Sequence, residues 1–457
     1  MDQPADVVLI RGCSVLQPDF SILHDATIVI KGNRIEEITV ESPSSSLPRA
    51  DEVVDGAGKL AMPGFVDAHT HATQQLLRAS VVDELPMIWA RILVPFESAL
   101  TPEDAYAGAK LFCIENLRAG ITTFADAGGP HMEAVIEAAL ETGIRAVICR
   151  STMDQGEFVP DSMKETASQA IARTEELYRD YNGAGNDRVH VWFGLRQAMT
   201  ATPELVEATA ARSKELGTGV HAHLAEHLDE VAHCLSNYAM RPAEWFDSFG
   251  LLGPNFIGAH SVRLSDKEVK LMSERQANVV HCPRSNLGSH GFSKTPLMLA
   301  LGTNIGLGTD GGASSRLDLF EQMRLLKSAM QARYGIEIND PITLPTMETL
   351  AMATIGGARA VMLHEQIGTL EPGKKADVVL LDLDKCHLSP TANLPVTVVI
   401  FAGPDDVSDV IVDGQVILED GEFVHLDAEE ICHEAGTALL RVGREADLKL
   451  SSPYISE

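Results

Sequence analysis

Between residues 60 and 360, short apolar runs alternate with amphipathic stretches in a regular order. The runs occupy 60–66, 121–127, 145–151, 189–196, 219–226, 256–262, 278–286 and 304–311, each with the length of a buried strand. The stretches between them have helical periodicity. Three open on a capping residue followed by an acidic first turn: Thr101-Pro-Glu-Asp, Thr202-Pro-Glu-Leu and Ser265-Asp-Lys-Glu. Eight strands alternating with helices predict an α/β fold of the TIM-barrel type, (β/α)8. An open doubly wound sheet would need a glycine-rich turn after its first strand, and the chain has His69-Thr70-His71 there.

The flanks follow a different rhythm. Residues 6–58 and 366–424 hold short alternating segments, among them 26–38 with a Gly32-Asn33 hairpin turn, 376–383, 397–401 and 410–418. Neither flank can bury a core alone, so the two are expected to pack together. The expected organisation is one small β-sandwich domain from 1–59 and 366–457, closed by a C-terminal helix over 427–450, and a catalytic barrel over 60–365.

Composition narrows the function classes. A chain of 457 residues, 45% hydrophobic, can fill one large core and a smaller second one. Its apolar runs fall short of the roughly 18–20 residues that span a bilayer. The acidic start, Met1-Asp-Gln-Pro-Ala-Asp, lacks the basic segment of a signal peptide, which points to a cytoplasmic protein. The seven cysteines are scattered and never spaced Cys-x-x-Cys, so reduced thiols are expected; Cys282 reads as a small buried residue. A net charge of −29 repels nucleic acid and anionic membranes. The expected partner is a small molecule, with neither nucleic acid nor membrane, and a homo-oligomer built on barrel helices is anticipated.

The chemistry sits at strand ends, where a barrel carries its working residues. His69 and His71 are two apart and point to the same side of their strand. With His223 and the carboxylate of Asp310 they make three nitrogens and one oxygen, a set suited to one Zn²⁺, or Fe²⁺, with an open position for water. Such an ion brings the pKa of water from about 16 to about 7. Glu226, three residues past His223, can reach a substrate and carry a proton to a leaving group. His260 ends the sixth run and is read as contacting the reacting oxygen or as a further ligand. His281 ends the seventh, faces the same mouth, and is a candidate for a supporting role behind the site or for a substrate contact. His221 has the parity of His223 but lies deeper, which favours packing or a supporting role behind the ligands.

The motifs Pro63-Gly-Phe-Val-Asp-Ala-His-Thr-His71, His223-Leu-Ala-Glu226, Gly258-Ala-His260, His281-Cys-Pro-Arg-Ser-Asn286 and Gly308-Thr-Asp-Gly-Gly-Ala-Ser314 resemble the amidohydrolase superfamily. Within it the chain is similar to the branch holding S-adenosylhomocysteine/methylthioadenosine deaminases and triazine hydrolases. The resemblance implies a mononuclear metal site on His69, His71, His223 and Asp310. It implies that Asp310 takes a proton from the attacking water, Glu226 protonates a ring nitrogen and His260 steadies the water or tetrahedral centre. The implied reaction displaces ammonia, or occasionally chloride, from a carbon of an N-heterocycle. The alternatives are a 5′-substituted adenosine deaminase specifically, a triazine chlorohydrolase, and a cyclic amide hydrolase. Binuclear amide hydrolases carry a lysine ending the fourth strand, and Val189-His-Val-Trp-Phe-Gly-Leu-Arg196 has none. The small zinc deaminases need a Pro-Cys-x-x-Cys pair that is absent here.

Substrate choice rests on the loops. Trp89 and Glu97 are similar to a family segment that offers a carboxylate to ribose hydroxyls; the alternative for Glu97 is a cap on the helix region near Thr101. After the fourth run, where related nucleoside deaminases carry a histidine, the chain has Arg196 and Gln197. Their donors suit a carbonyl or carboxylate and point away from adenine towards an oxo-bearing heterocycle. Arg284 adds a further candidate donor, and Ser289-His290-Gly-Phe292 another donor and an apolar wall.

Overall fold

The computed structural model describes residues 6–40, 48–84, 88–313, 315–340 and 342–448. Eight parallel strands follow one another in chain order: Phe65–Thr70, Ile121–Asp126, Arg145–Cys149, Val189–Leu195, Val220–Leu224, Phe256–His260, Asn278–His281 and Ile305–Leu307. Thr101, Thr202 and Ser265 cap the helices predicted to begin after them. The barrel is nearly closed. Across the gap between last and first strands, Asp310 N–H donates to His69 C=O at 3.0 Å and Thr309 N–H to Asp67 Oδ1 at 2.9 Å. A Cβ at Gly308 would lie 2.6 Å from the His69 carbonyl, so only glycine permits this approach.

Two predicted runs divide differently. Run 60–66 is shared between two sheets: Lys59–Pro63 pairs antiparallel with Val378–Asp382 outside the barrel, and the first barrel strand starts at Phe65. Gly64 makes the break, where a Cβ would meet Thr122 Oγ1 at 2.0 Å. Run 278–286 ceases to be a strand after His281. Pro283 opens a helical turn, and Asn286–His290 continues as a π-type turn.

Strands from both ends of the chain share one nine-stranded sheet, joined where Lys59–Pro63 meets Val378–Asp382. Period-two alternation divides its side chains between two cores. Val378 and Leu380 pack with Ile10, Ile28 and Ile411, whereas Val379 and Leu381 join the barrel core with Leu60, Met62 and Phe65. The helix Ala428–Glu445, capped by Asp427, lies on the barrel helix Pro102–Arg118, with Arg441 Nε 2.9 Å from Asp104 Oδ1. No helix among the described residues is long and apolar enough to cross a membrane.

A buried ionic network joins the nine-stranded sheet to the N-terminal end of the barrel. Arg145, the first residue of the third strand, donates from Nε and Nη2 to the two oxygens of Asp377 at 2.9 Å each. Its Nη2 also reaches Asp413 Oδ1 at 3.2 Å, and Lys375 Nζ meets the same oxygen at 2.9 Å. Removing one member of a buried pair leaves its partner charged and desolvated. Arg145→Met is therefore expected to destabilise the protein by about 3–5 kcal/mol. Because the network lies at the opposite end of the barrel from the strand-end histidines, metal content should not change. Urea denaturation with metal analysis checks both, and a loss under ~1 kcal/mol would contradict the first.

Candidate active site

At the C-terminal ends of the strands, His69, His223, His260 and Asp310 each bring one donor atom within 4.8 Å of the others. His69 Nε2 lies 3.2 Å from Asp310 Oδ1, and His71 Nε2 lies 3.8 Å from the same oxygen and 3.2 Å from His223 Nε2. His260 Nε2 lies 3.9 Å from Asp310 Oδ1. Five side chains thus crowd one point. His260 and Asp310 have φ of 65° and 63°, a left-handed bend that neither β strands nor helices use. Backbone strain of this kind is concentrated at functional sites.

His71 and His260 lie almost equally far from Asp310, at 3.8 and 3.9 Å, and differ in what stands behind each ring. His71 Nδ1 faces the Gly128 carbonyl at 3.4 Å. A carbonyl only accepts, so Nδ1 carries the proton and Nε2 presents a lone pair. Gly128 is itself held, its N–H donating to Asp126 Oδ1 at 2.7 Å. His260 is the opposite case. Asn286 Oδ1 accepts the Cys282 N–H at 3.2 Å, which turns its amide nitrogen towards His260 Nδ1 at 2.9 Å. An amide nitrogen only donates, so His260 Nδ1 accepts and its Nε2 carries the proton, aimed into the cluster. His69 Nδ1 pairs with His221 Nε2 at 2.8 Å, leaving Nε2 free of any hydrogen bond. His221 therefore stands behind His69, the supporting position expected for it. Nitrogens facing one another at 3.2 Å, and a buried Nε2 with no hydrogen bond, fit a shared cation.

Burial sets the charge states. It pushes His221 and His223 well below the usual imidazole range, with the neighbouring imidazoles adding to the effect. His71 falls to about 3, through burial first and the Arg196 charge second. All three are neutral at physiological pH, the state in which an imidazole such as His71 or His223 can hold a metal. Burial would raise Asp310, but His260, His69 and His71 outweigh it and hold the carboxylate ionised.

Glu226 lies beside the cluster. Its Oε1 is 3.9 Å from His260 Nε2 and 2.9 Å from His290 Nε2, and its backbone N–H donates to Glu230 Oε2 at 3.1 Å. Burial raises its proton affinity, yet His260 and His290 together bring it below the ordinary range.

The substrate candidates separate on inspection. Arg196 and Glu97 form a buried, two-pronged ion pair at 2.9 and 3.2 Å, and Gln74 Nε2 donates to Glu97 Oε1 at 2.8 Å. The Arg196 donors read as awaiting a substrate carbonyl are thus committed largely to Glu97. The Glu97 oxygens are committed in turn, and Glu97 does not cap the helix at Thr101, which Asp104 does. Trp89 Nε1 and Gln197 Oε1 are buried without a hydrogen-bond partner among the described residues. His281 uses both ring nitrogens inside the protein, Nδ1 on the His260 carbonyl at 3.0 Å and Nε2 on Thr295 Oγ1 at 3.1 Å. It supports the backbone of His260 and has no donor left for a substrate. Arg284 is exposed, and its backbone N–H is tied to Gln322 Oε1 at 2.9 Å. Asn286 and His290 stand out in the sequence only as part of the motif and the donor segment after the seventh strand; their contacts to His260 and Glu226 are seen only in the structure.

Residues 60–417 match the Amidohydrolase family. The 5-methylthioadenosine/S-adenosylhomocysteine deaminase of Moorella thermoacetica is 36% identical over 436 residues, covering 93% of this chain and 97% of its own. A zinc-bound adenosine deaminase from Xanthomonas campestris superposes with a TM-score of 0.88 at 28% identity, over 96% of this chain and 98% of its own. The atrazine chlorohydrolase of Arthrobacter aurescens TC1 in complex with zinc gives 0.86 at 26% identity, over 94% of this chain and 100% of its own.

Proposed function

Because the chain belongs to the amidohydrolase family, we propose that it is a metal-dependent aminohydrolase. In this reading it replaces an exocyclic amino group of an N-heterocycle with oxygen and releases ammonia. The observation that carries this is the convergence of the imidazoles of His69, His71 and His223 and the carboxylate of Asp310 beside a second carboxylate, Glu226. His69, His71, His223 and Asp310 would hold one divalent ion per subunit, zinc before iron, as the zinc in two structural relatives supports. Bound there, the ion would supply a water with a pKa near neutrality, about 7.

The remaining work falls to the protein's own groups. Asp310 takes a proton from the attacking water. The protonated Nε2 of His260 donates to the incoming oxygen and orients it. Glu226 delivers a proton to the ring nitrogen, so that the ring accepts the electron pair displaced by attack. Asp310 returns its proton to the amino group, ammonia leaves, and the new hydroxyl gives its proton to Glu226 as the aromatic or lactam system is restored. A cytoplasmic setting fits the free cysteines, and a homo-oligomer remains our reading of the assembly.

The name of the Moorella thermoacetica relative puts 5′-substituted adenosines first among candidate substrates. The Arg196–Glu97 pair argues for a different outer contact, since a ribose diol would have to compete with a buried guanidinium for Glu97. The atrazine chlorohydrolase favours a second reading, chloride displacement from a triazine. An ammonia-release screen over 5′-substituted adenosines, guanine and pterin analogues, cytosines and aminotriazines tests the proposal, with chlorotriazines assayed for chloride. Ammonia from at least one aminoheterocycle is expected. Chloride release with no ammonia from any of them would overturn it, and a response from 5′-substituted adenosines alone would show that Arg196 acts only through Glu97.

A further inference from the structure

The helical turn after the seventh strand touches both proton-carrying side chains of the site. Asn286 and His290 are its first and last residues, four apart and therefore on one face. Asn286 fixes the tautomer of His260 from behind, and His290 Nε2 meets Glu226 Oε1 at 2.9 Å. The Glu226 Oε1 is thus held by His290 on the outer side and faces His260 at 3.9 Å on the inner side. The inner ring is closed off, 1% exposed, while the His290 side chain is 19% exposed. Gly291, at φ 109°, ends the turn in a conformation other residues avoid, which sets where His290 falls.

We propose that His290 is a positioning residue for the reaction, holding Glu226 by Oε1 so that Oε2 is presented to the substrate. The inference rests on the role given to Glu226 above. When Glu226 has left its proton on the substrate ring, the Nε2–H of His290 steadies the carboxylate that results, until the new hydroxyl of the substrate returns a proton to it. The groups facing His290 favour its charged form: Glu226 directly and Asp310 at longer range, against burial and Arg263, with the His227 ring 6.0 Å away.

The test uses the metal-loaded, full-length protein and whichever aminoheterocycle the screen identifies. His290→Ala should lower kcat roughly 10–100-fold, the range found when a supporting contact behind a functional group is lost. It should leave KM and metal content near wild type. Because His290 lowers the proton affinity of Glu226, its removal should also move the limb of the pH–rate profile governed by Glu226 to higher pH. His290→Gln keeps a donor at the position of Nε2 and should recover most of kcat but not the limb. Unchanged kcat and pH profile in His290→Ala would overturn the proposal. An independent arm follows the His290 ring by NMR: its pKa should fall in Glu226→Gln, and an unchanged titration would overturn the contact itself. A wild-type protein that deaminates nothing would defeat the aminohydrolase reading, while the NMR arm would still decide whether the pair exists.

Discussion

His71→Ala is expected to emerge from purification with its tightly held metal lost, whereas His260→Asn is expected to keep its metal and lose turnover. The contrast is informative because the two rings are nearly equidistant from Asp310 Oδ1, at 3.8 and 3.9 Å. What separates them lies on the far side of each ring. A carbonyl behind His71 leaves a lone pair facing the site, and an amide nitrogen behind His260 leaves a proton there. A proton cannot share a nitrogen with a metal. If four ligands divide a binding free energy of about 10–16 kcal/mol, losing one lowers affinity roughly 10²–10³-fold. His260→Asn removes a donor to the reacting oxygen, an effect of about 10²–10³ in kcat. Elemental analysis after dialysis against a weak chelator, beside steady-state rates, reads both. Metal retained by His71→Ala but stripped from His260→Asn would show that His260 is the ligand. The Asn286→Asp variant adds a check, since a carboxylate behind His260 accepts a proton from Nδ1 and would free Nε2 to bind metal.

How much of this was legible beforehand follows from the range of each interaction. His69-x-His71 and the strand ends at His223, His260 and Asp310 could be read because alternation fixes parity within a strand and barrel topology brings strand ends together. The Arg196–Glu97 pair could not, since its members stand ninety-nine positions apart on a loop and a helix with no periodic relation. Their pairing depends on the three-dimensional mouth, and it changes the meaning of both residues from open contacts to a neutralised pair. The turn holding Asn286 and His290 was hidden differently. Reading 278–286 as strand put the polar residues of this segment on a two-residue period, whereas Asn286 and His290 act at a spacing of four. Pro283 was the available signal, a residue suited to the first turn of a helix and unsuited to a central strand. Gly64 is a similar case: the run through 60–66 looks continuous, and only the contact with Thr122 shows why it breaks.

Glu226→Gln should fold, retain its metal and bind substrate, yet turn over roughly 10²–10⁴-fold more slowly, the contribution of a positioned general acid or base. The substitution keeps the shape and one acceptor oxygen but cannot cycle a proton. Substrate should therefore accumulate on the variant, and its dissociation constant, measured by equilibrium binding, should stay near the wild-type value. The control is four residues away. Glu230 is wholly buried, with its carboxyl pushed up to about 8 by burial first, against the backbone N–H groups of Glu226 and Ala225. At neutral pH it is already mostly protonated, so Glu230→Gln replaces one neutral group with another and keeps an acceptor for the Glu226 N–H. Its activity should fall far less. The pair of variants thus separates a carboxylate that must change protonation during turnover from one that only holds the backbone. Near-wild-type rates in Glu226→Gln would remove Glu226 from the mechanism. Equal losses in both variants would mean that disturbance of this turn, rather than proton transfer, limits the rate.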